Sequence, residues 1–317
     1  MDKPLLSLCI PTYNRSQYLK KSIDSIICQQ EFLDGKVEIV ISDNASEDDT
    51  REVVDVYLKK YDNIFYQRNV VNVRDKNFPI VLSEAHGTLR RLCNDTLIFL
   101  PGSLAEICSV VEKYSDCRPY ICWANGNSKP TEKTFTSDFK EYVHDISFWM
   151  TSILCFSIWD TECCEIKDDT DGCELLLWQV RKGLELACSK NSVLVINKKL
   201  SDVQAVEKKN ISYGLYKVFY ENYFKLLEPY FENDSLDQRD KEYLEKDLLF
   251  HFFSDWCVQW ELQDKKLQYS ETEDLKKLVW NQYKSKPYWN KFLVCYYLKL
   301  LKCKGIKRIK SLIIKQR

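Results

Sequence analysis

At 317 residues, 45% apolar and 13% aromatic, the chain has the length for a large core and a composition that excludes a disordered protein. The net charge of −1 hides an uneven distribution: residues 275–317 carry thirteen Lys or Arg and no Asp or Glu, which leaves 1–274 at −14. No run of 18 apolar residues and no charged-then-apolar leader occurs, so the expectation is a cytoplasmic protein.

Fourteen cysteines are scattered from Cys9 to Cys303 without one CxxC pair, and the three histidines lack ligand spacing. They read as small buried hydrophobes, neither a disulfide framework nor a zinc site.

In chain order, LLSLCIPTYNR (5–15) reads as a buried strand ended by Pro11. SQYLKKSIDSIICQQ follows, with Leu19, Ile23, Ile26 and Ile27 at helical spacing and Ser16 as N-cap. KVEIVISD (36–43) is a second strand. SEDDTREVVDVYLKKY (46–61) is a second helix, acidic in its first turn and basic in its last, as the helix dipole prefers. NIFYQRN is a third strand, FPIVLSEAH a third helical stretch and DTLIFL (95–100) a fourth strand. This alternation predicts an α/β fold, a mostly parallel sheet flanked by helices. Beyond about residue 205, long aromatic-rich segments of helical period take over, such as KEYLEKDLLFHFFSDWCVQWEL. The expected division is a sheet domain over 1–205 and a helical C-terminal region over 206–317.

Open parallel sheets bind ligands beyond the carboxyl ends of their strands. Two polar loops, PTYNR and SDNASEDDT, occupy that rim, where their acceptors meet a ligand or cap the next helix.

LSLCIPTYNRSQYLKKSIDSI, VEIVISDNASEDDT and AHGTLRRLCNDTLIFLPGSL, in this order and at this spacing, together resemble the family 2 glycosyltransferases of GT-A (Rossmann-like) fold, in particular bacterial enzymes that build capsule, lipopolysaccharide and other surface glycans. The resemblance implies an inverting, metal-assisted transfer of a sugar from a nucleotide-sugar donor, UDP favoured, to a glycan or lipid-linked glycan acceptor. It implies that Pro11, Thr12, Tyr13, Asn14 and Arg15 lie near the nucleoside. Asp43 would accept from the nucleobase, with Asn44 and Ser46 beside it. Uracil's imide N–H suits a fixed carboxylate acceptor. NVRDKNF lies where relatives place a donor-contacting loop, which makes Arg74, Asp75 and Asn77 weaker candidates, with a solvated loop the equal alternative.

Where relatives carry a DXD-type motif that holds Mn2+ or Mg2+ on the donor diphosphate, this chain has Asn94-Asp95-Thr96. Asp95 is then the metal ligand, and Asn94 contacts ribose or donor sugar. One carboxylate in place of two or three weakens the site. An inverting transferase also needs a base for the acceptor hydroxyl. The matching segment is IKDDTDGCELLLWQVRKGLEL, with Glu174 the first choice and Asp171 the second. The His86-Gly87 pair fits a place where backbones pack closely. Trp149 and Trp159 are core, or else walls of the acceptor's path.

In the basic tail, Phe292, Leu293, Tyr296, Tyr297, Leu300 and Leu301 alternate with lysines. The expectation is an amphipathic helix over 288–317 that contacts an anionic inner leaflet, or a helix docked on the acidic body; the aromatic helices also allow a homodimer. No nucleic-acid module accompanies the charge. The rival reading is a catalytically weakened binding or assembly subunit. Nucleotidyl transfer is disfavoured, because no Gly-rich phosphate loop is present.

Overall fold

The computed structural model describes residues 3–206, 209–211, 213–262, 267–269 and 274–315. It divides into two compact units, residues 1–205 and 206–317.

The first unit begins β1 (Leu6–Thr12), α1 (Ser16–Ile27), α2 (Gln30–Leu33), β2 (Val37–Asp43), α3 (Thr50–Leu58) and β3 (Ile64–Arg68). It continues α4 (Asn77–Ser83), β4 (Leu89–Leu92), β5 (Leu97–Phe99), α5 (Ser103–Tyr114), β6 (Tyr120–Trp123), β7 (Thr134–Ser137) and α6 (Phe139–Ile146). It closes with β8 (Ser157–Trp159), α7 (Trp178–Lys190), β9 (Val193–Ile196) and β10 (Ser201–Val203). The main sheet has the order β3-β2-β1-β4-β8, parallel except for β8. All seven residues of β2 are buried, as expected of a central parallel strand covered on both faces. A second sheet, β6-β9-β7, and an antiparallel pair, β10-β5, complete the unit.

Several details differ from the sequence reading. β1 continues through Pro11 to Thr12, in register with Ser42 and Asp43. Its pairing with β4 ends at Cys9, so Pro11 has no strand neighbour on that side. DTLIFL contains a strand, but β5 pairs with β10 outside the main sheet. The strand beside β1 is β4, whose sequence LRRL hides it: two arginines do not look like a buried strand. Arg91 is nonetheless fully buried, with its guanidinium stacked 4.6 Å from the Trp123 ring centre. α3 starts at Thr50, four residues later than the pattern suggested.

Gly87 bears out the close-packing expectation. A Cβ there would lie 2.5 Å from Ser7 Oγ and 2.7 Å from Ser7 N, and the Gly87 N–H donates to that Oγ. The described cysteines are all free, and Cys9, Cys93, Cys108, Cys122, Cys155, Cys173 and Cys257 are buried.

The second unit holds β11 (Lys209–Ile211), α8 (Tyr223–Glu232), α9 (Gln238–Leu248), α10 (Ser254–Glu261), β12 (Leu267–Tyr269), α11 (Leu275–Tyr283) and α12 (Trp289–Lys315). Short π-helical stretches, Lys217–Asn222 and Leu249–Phe253, precede α8 and α10. Stacked and edge-on aromatic pairs fill its interior.

Candidate active site

The parallel register of β1 and β2 sets Thr12 opposite Asp43, so the two polar loops leave the sheet side by side. They are then knitted together. Asn44 N donates to Thr12 O, Asn14 N to Ser46 Oγ at 2.9 Å, and Glu47 N to Asn14 Oδ1 at 2.7 Å. Ser16 is not the cap of α1. Its N–H donates to Asp48 Oδ2 at 2.9 Å, so the cap arrives from the other loop. The same Asp48 accepts from Thr50 N at the start of α3. One carboxylate thus begins two helices, and these bonds hold its pKa below the usual carboxylate range against the pull of partial burial. Asn14, with φ 51°, takes the left-handed conformation that makes this crossing possible.

Asp43 is fully buried. Oδ1 accepts from Ser46 N at 2.8 Å; Oδ2 accepts from Tyr66 Oη at 2.7 Å and lies 3.5 Å from Arg68 Nε. Asn44 uses all its valences internally: it donates to Asn72 Oδ1 and Arg74 O, and accepts from Asn69 Nδ2 and Val73 N. Asn77 is likewise bonded to Ser42 and Asn69. Asn44, Ser46 and Asn77 therefore build the rim and do not offer free side chains to a ligand. Tyr66 and Arg68 are partners of Asp43 that the sequence reading passed over. Their spacing of two along β3 puts both on one face, and that was the available signal.

Beyond β4 the chain carries Asp95 back beside Thr12. Thr12 Oγ1 donates to Asp95 Oδ2 at 3.0 Å, and Arg15 Nη1 lies 3.1 Å from Oδ1. Burial pushes the Asp95 carboxyl up from its ordinary value, while Arg15 and Thr12 oppose that shift. Arg15 is 43% exposed and Tyr13 42%, so a guanidinium and a ring face solvent above a buried carboxylate. Asn94 is half-buried, and its side chain has no hydrogen-bond partner among the described residues.

A protein-built divalent-metal site does not fit these residues. Asp95 is already neutralised by Arg15, and among the described residues no group of three or more His, Cys, Asp or Glu is placed to hold a metal.

Glu174 lies on a short 3-10 turn, Cys173–Leu175, between left-handed Gly172 and Leu176, four residues before α7 begins. Asp171 and Glu174 are both exposed. This turn packs on the 3-10 turn Arg74–Lys76, which Asn44 holds through Arg74 O. Asp75 lies between the two, its carboxylate facing the Trp178 backbone at the start of α7. Asp75 Oδ2 is buried without a partner, and burial raises the pKa to about 7. The sequence reading ranked Asp75 low, because nothing local shows that a distant helix end lands on it. Trp159 is core, with Nε1 donating to Pro119 O, whereas Trp149 is 40% exposed and stacks on Phe148.

Comparison with known proteins agrees with this architecture. The family model for glycosyl transferase family 2 matches residues 7–177. The chain is 40% identical over 121 residues to abequosyltransferase RfbV of Salmonella typhimurium, a match spanning 37% of this chain and 35% of that protein. It is 36% identical over 106 residues to the GalNAc(5)-diNAcBac-PP-undecaprenol beta-1,3-glucosyltransferase of Campylobacter jejuni, which covers 33% of each. The chain thus spans about a third of the length of these relatives. Among solved structures, S. aureus TarS 1-349 in complex with UDP-GlcNAc superposes with a TM-score of 0.59 at 16% identity, over 82% of this chain and 77% of that one. Its complex with UDP gives a TM-score of 0.57 at 18% identity, over 82% and 76%. The matched segment exceeds half of the chain and contains both interlocked loops, Asp95 and Glu174: the protein belongs to glycosyl transferase family 2 and has the GT-A fold.

Proposed function

We propose that the chain transfers a sugar, with inversion, from a nucleoside-diphosphate sugar to the hydroxyl of a growing cell-surface glycan. The observation that carries this reading is the Thr12–Arg15–Asp95 cluster, set at the carboxyl rim beneath two interlocked loops. The exposed Arg15 guanidinium suits a diphosphate, and Asp95 keeps it in place. Asp43 is assigned to the nucleobase edge through Oδ2, where Tyr66 and Arg68 already gather. Uridine is the favoured base, in keeping with TarS, whose complexes hold UDP and UDP-GlcNAc. A lipid-linked glycan acceptor is in keeping with the name of the Campylobacter relative, a GalNAc(5)-diNAcBac-PP-undecaprenol beta-1,3-glucosyltransferase.

In the transfer, Glu174 takes the proton of the acceptor hydroxyl, with Asp171 the second choice. The acceptor oxygen forms its bond to the anomeric carbon from the face opposite the donor phosphate. The old anomeric carbon–oxygen bond breaks, and its electron pair leaves with the nucleoside diphosphate, beside Arg15. A divalent ion, Mn2+ or Mg2+, enters this reading only as a companion of the donor diphosphate, because the protein offers it one carboxylate that is already paired.

A second reading, a donor-binding subunit without catalysis, draws on that same thinned acidic motif. Melting of the protein against nucleoside diphosphates and their sugars, each with and without Mn2+, tests the donor site. A ligand at 100 times its dissociation constant adds about 2.7 kcal/mol of stability. A shift with one nucleotide, followed by release of that nucleotide from its sugar when a glycan acceptor is added, is the expected result. A shift without turnover selects the binding subunit, and no shift with any nucleotide overturns the donor site.

A further inference from the structure

α12 is apolar on two sides. Its inner side is committed to the second unit: Phe292, Tyr296 and Leu300 are buried, and the Trp280 ring lies 5.7 Å from Phe292 and 5.1 Å from Tyr296. Of the two expectations for these residues, a lipid-facing side or a docked one, burial assigns Phe292, Tyr296 and Leu300 to packing within the protein. The outer side carries Val294, Tyr297, Leu298 and Leu301, which are 60%, 49%, 63% and 66% exposed. Positions i, i+3, i+4 and i+7 form one continuous stripe on a helix. Every exposed large apolar side chain found among the described residues of 206–317 lies on it.

The charges around the stripe point to its occupant. At 3.6 residues per turn, Lys291 and Lys302 flank one edge and Lys304 the other, and all three are exposed. Lys299 points away from the stripe and is tied to Asp255. The segment 288–317 holds nine Lys or Arg and no Asp or Glu. A second copy laid on this stripe would set lysine rows against each other, which repel. No helix among the described residues is long and apolar enough to cross a membrane.

We propose that α12 lies in the surface of an anionic lipid bilayer, with Val294, Tyr297, Leu298 and Leu301 sunk among the acyl chains and Lys291, Lys302 and Lys304 reaching to the headgroups. α12 then has two apolar neighbours at once, the protein core and the bilayer. Lipid contact leaves the fold of the second unit unchanged, because the inner face is already packed.

Flotation of the full chain with vesicles tests this, using phosphatidylcholine alone and phosphatidylcholine mixed with phosphatidylglycerol. The expected result is capture by the mixed vesicles only, and release by added salt. Leu298→Ser with Leu301→Ser abolishes capture. Lys291→Gln with Lys302→Gln weakens it about 25-fold, at about fivefold per lysine. Both double variants keep the parent melting temperature, since every substituted side chain is exposed. Absence of capture by the mixed vesicles, or capture indifferent to the leucine substitutions, overturns the proposal. So does a concentration-dependent dimer in lipid-free solution that those substitutions dissolve.

Discussion

The two halves of the active-site rim are held in different ways. In the two interlocked loops, Asn14 N donates to Ser46 Oγ, Glu47 N to Asn14 Oδ1 and Ser16 N to Asp48 Oδ2, bonds that cross from the loop after β1 to the loop after β2. Around Glu174 the chain runs through 3-10 turns and left-handed residues, with Asp171 and Glu174 exposed, and is held to α7 where Trp178 Nε1 donates to Asp169 O and Arg181 Nε to Asp171 O. The first half is pre-bonded without a ligand, which under the proposed function would lower the ordering cost of binding a nucleotide. The second half is irregular backbone that presents its carboxylates to solvent, as would suit the acceptor side under the proposed function. Binding and chemistry should therefore separate under mutation.

The largest effect is expected at Glu174. Glu174→Gln lowers kcat by about 10²–10⁴-fold while donor affinity and melting temperature stay at parent values. Equal losses for Asp171→Asn would move the base to that residue. Next, Arg15→Ala costs about 100-fold in kcat/KM and weakens nucleotide binding, because it removes the diphosphate's cation and leaves Asp95 buried without a counter-charge. Unchanged nucleotide binding in this variant would break the donor assignment.

Asp75 sharpens the comparison through pH. Its folded pKa of about 7 lies above the ordinary carboxylate value, so between about pH 4 and 7 the folded state keeps a proton that the unfolded state has lost. This group therefore subtracts stability as pH rises through that window, and the loss is complete above the folded pKa. Asp75→Asn should melt above the parent at pH 8, by about 2–4 °C for each kcal/mol relieved, and should match it near pH 4. A variant less stable than the parent at both pH values would mean that the contacts of the Asp75 side chain outweigh the cost of burying its charge. The smallest effect belongs to Ser46→Ala, which leaves Asn14 N to solvent. We expect about 1 kcal/mol of stability lost and a weaker donor complex, with kcat unchanged at saturation.

The sheet rim was legible in the sequence because its signals are local. Apolar strands run directly into Thr-Tyr-Asn-Arg and Asp-Asn-Ala-Ser, and parallel pairing brings such ends together wherever they occur. β4 was not legible. LRRL becomes a buried strand only because Arg91 finds the Trp123 ring, more than thirty residues away in the chain, to stack on. The same holds for Asp95: the resemblance of Asn94-Asp95-Thr96 to the family's acidic motif singled out the carboxylate, but not that Arg15 would already pair with it. Asp75 needed the three-dimensional placement of the start of α7. On α12 the periodicity named the helix and its lysines correctly, yet two apolar faces gave no local clue to which one the protein keeps.

The crossing bonds between residues 12–16 and 43–48 also have a meaning for engineering. Each loop supplies the other's missing hydrogen-bond partners: Asp48 begins the helix that follows Arg15, and Asn14 accepts from Glu47. The two segments, about thirty residues apart in the chain, thus behave as one transplantable part. Exchanged as a pair between family members they should carry a nucleotide preference with them. Exchanged singly, either one arrives in its new host with its seams open.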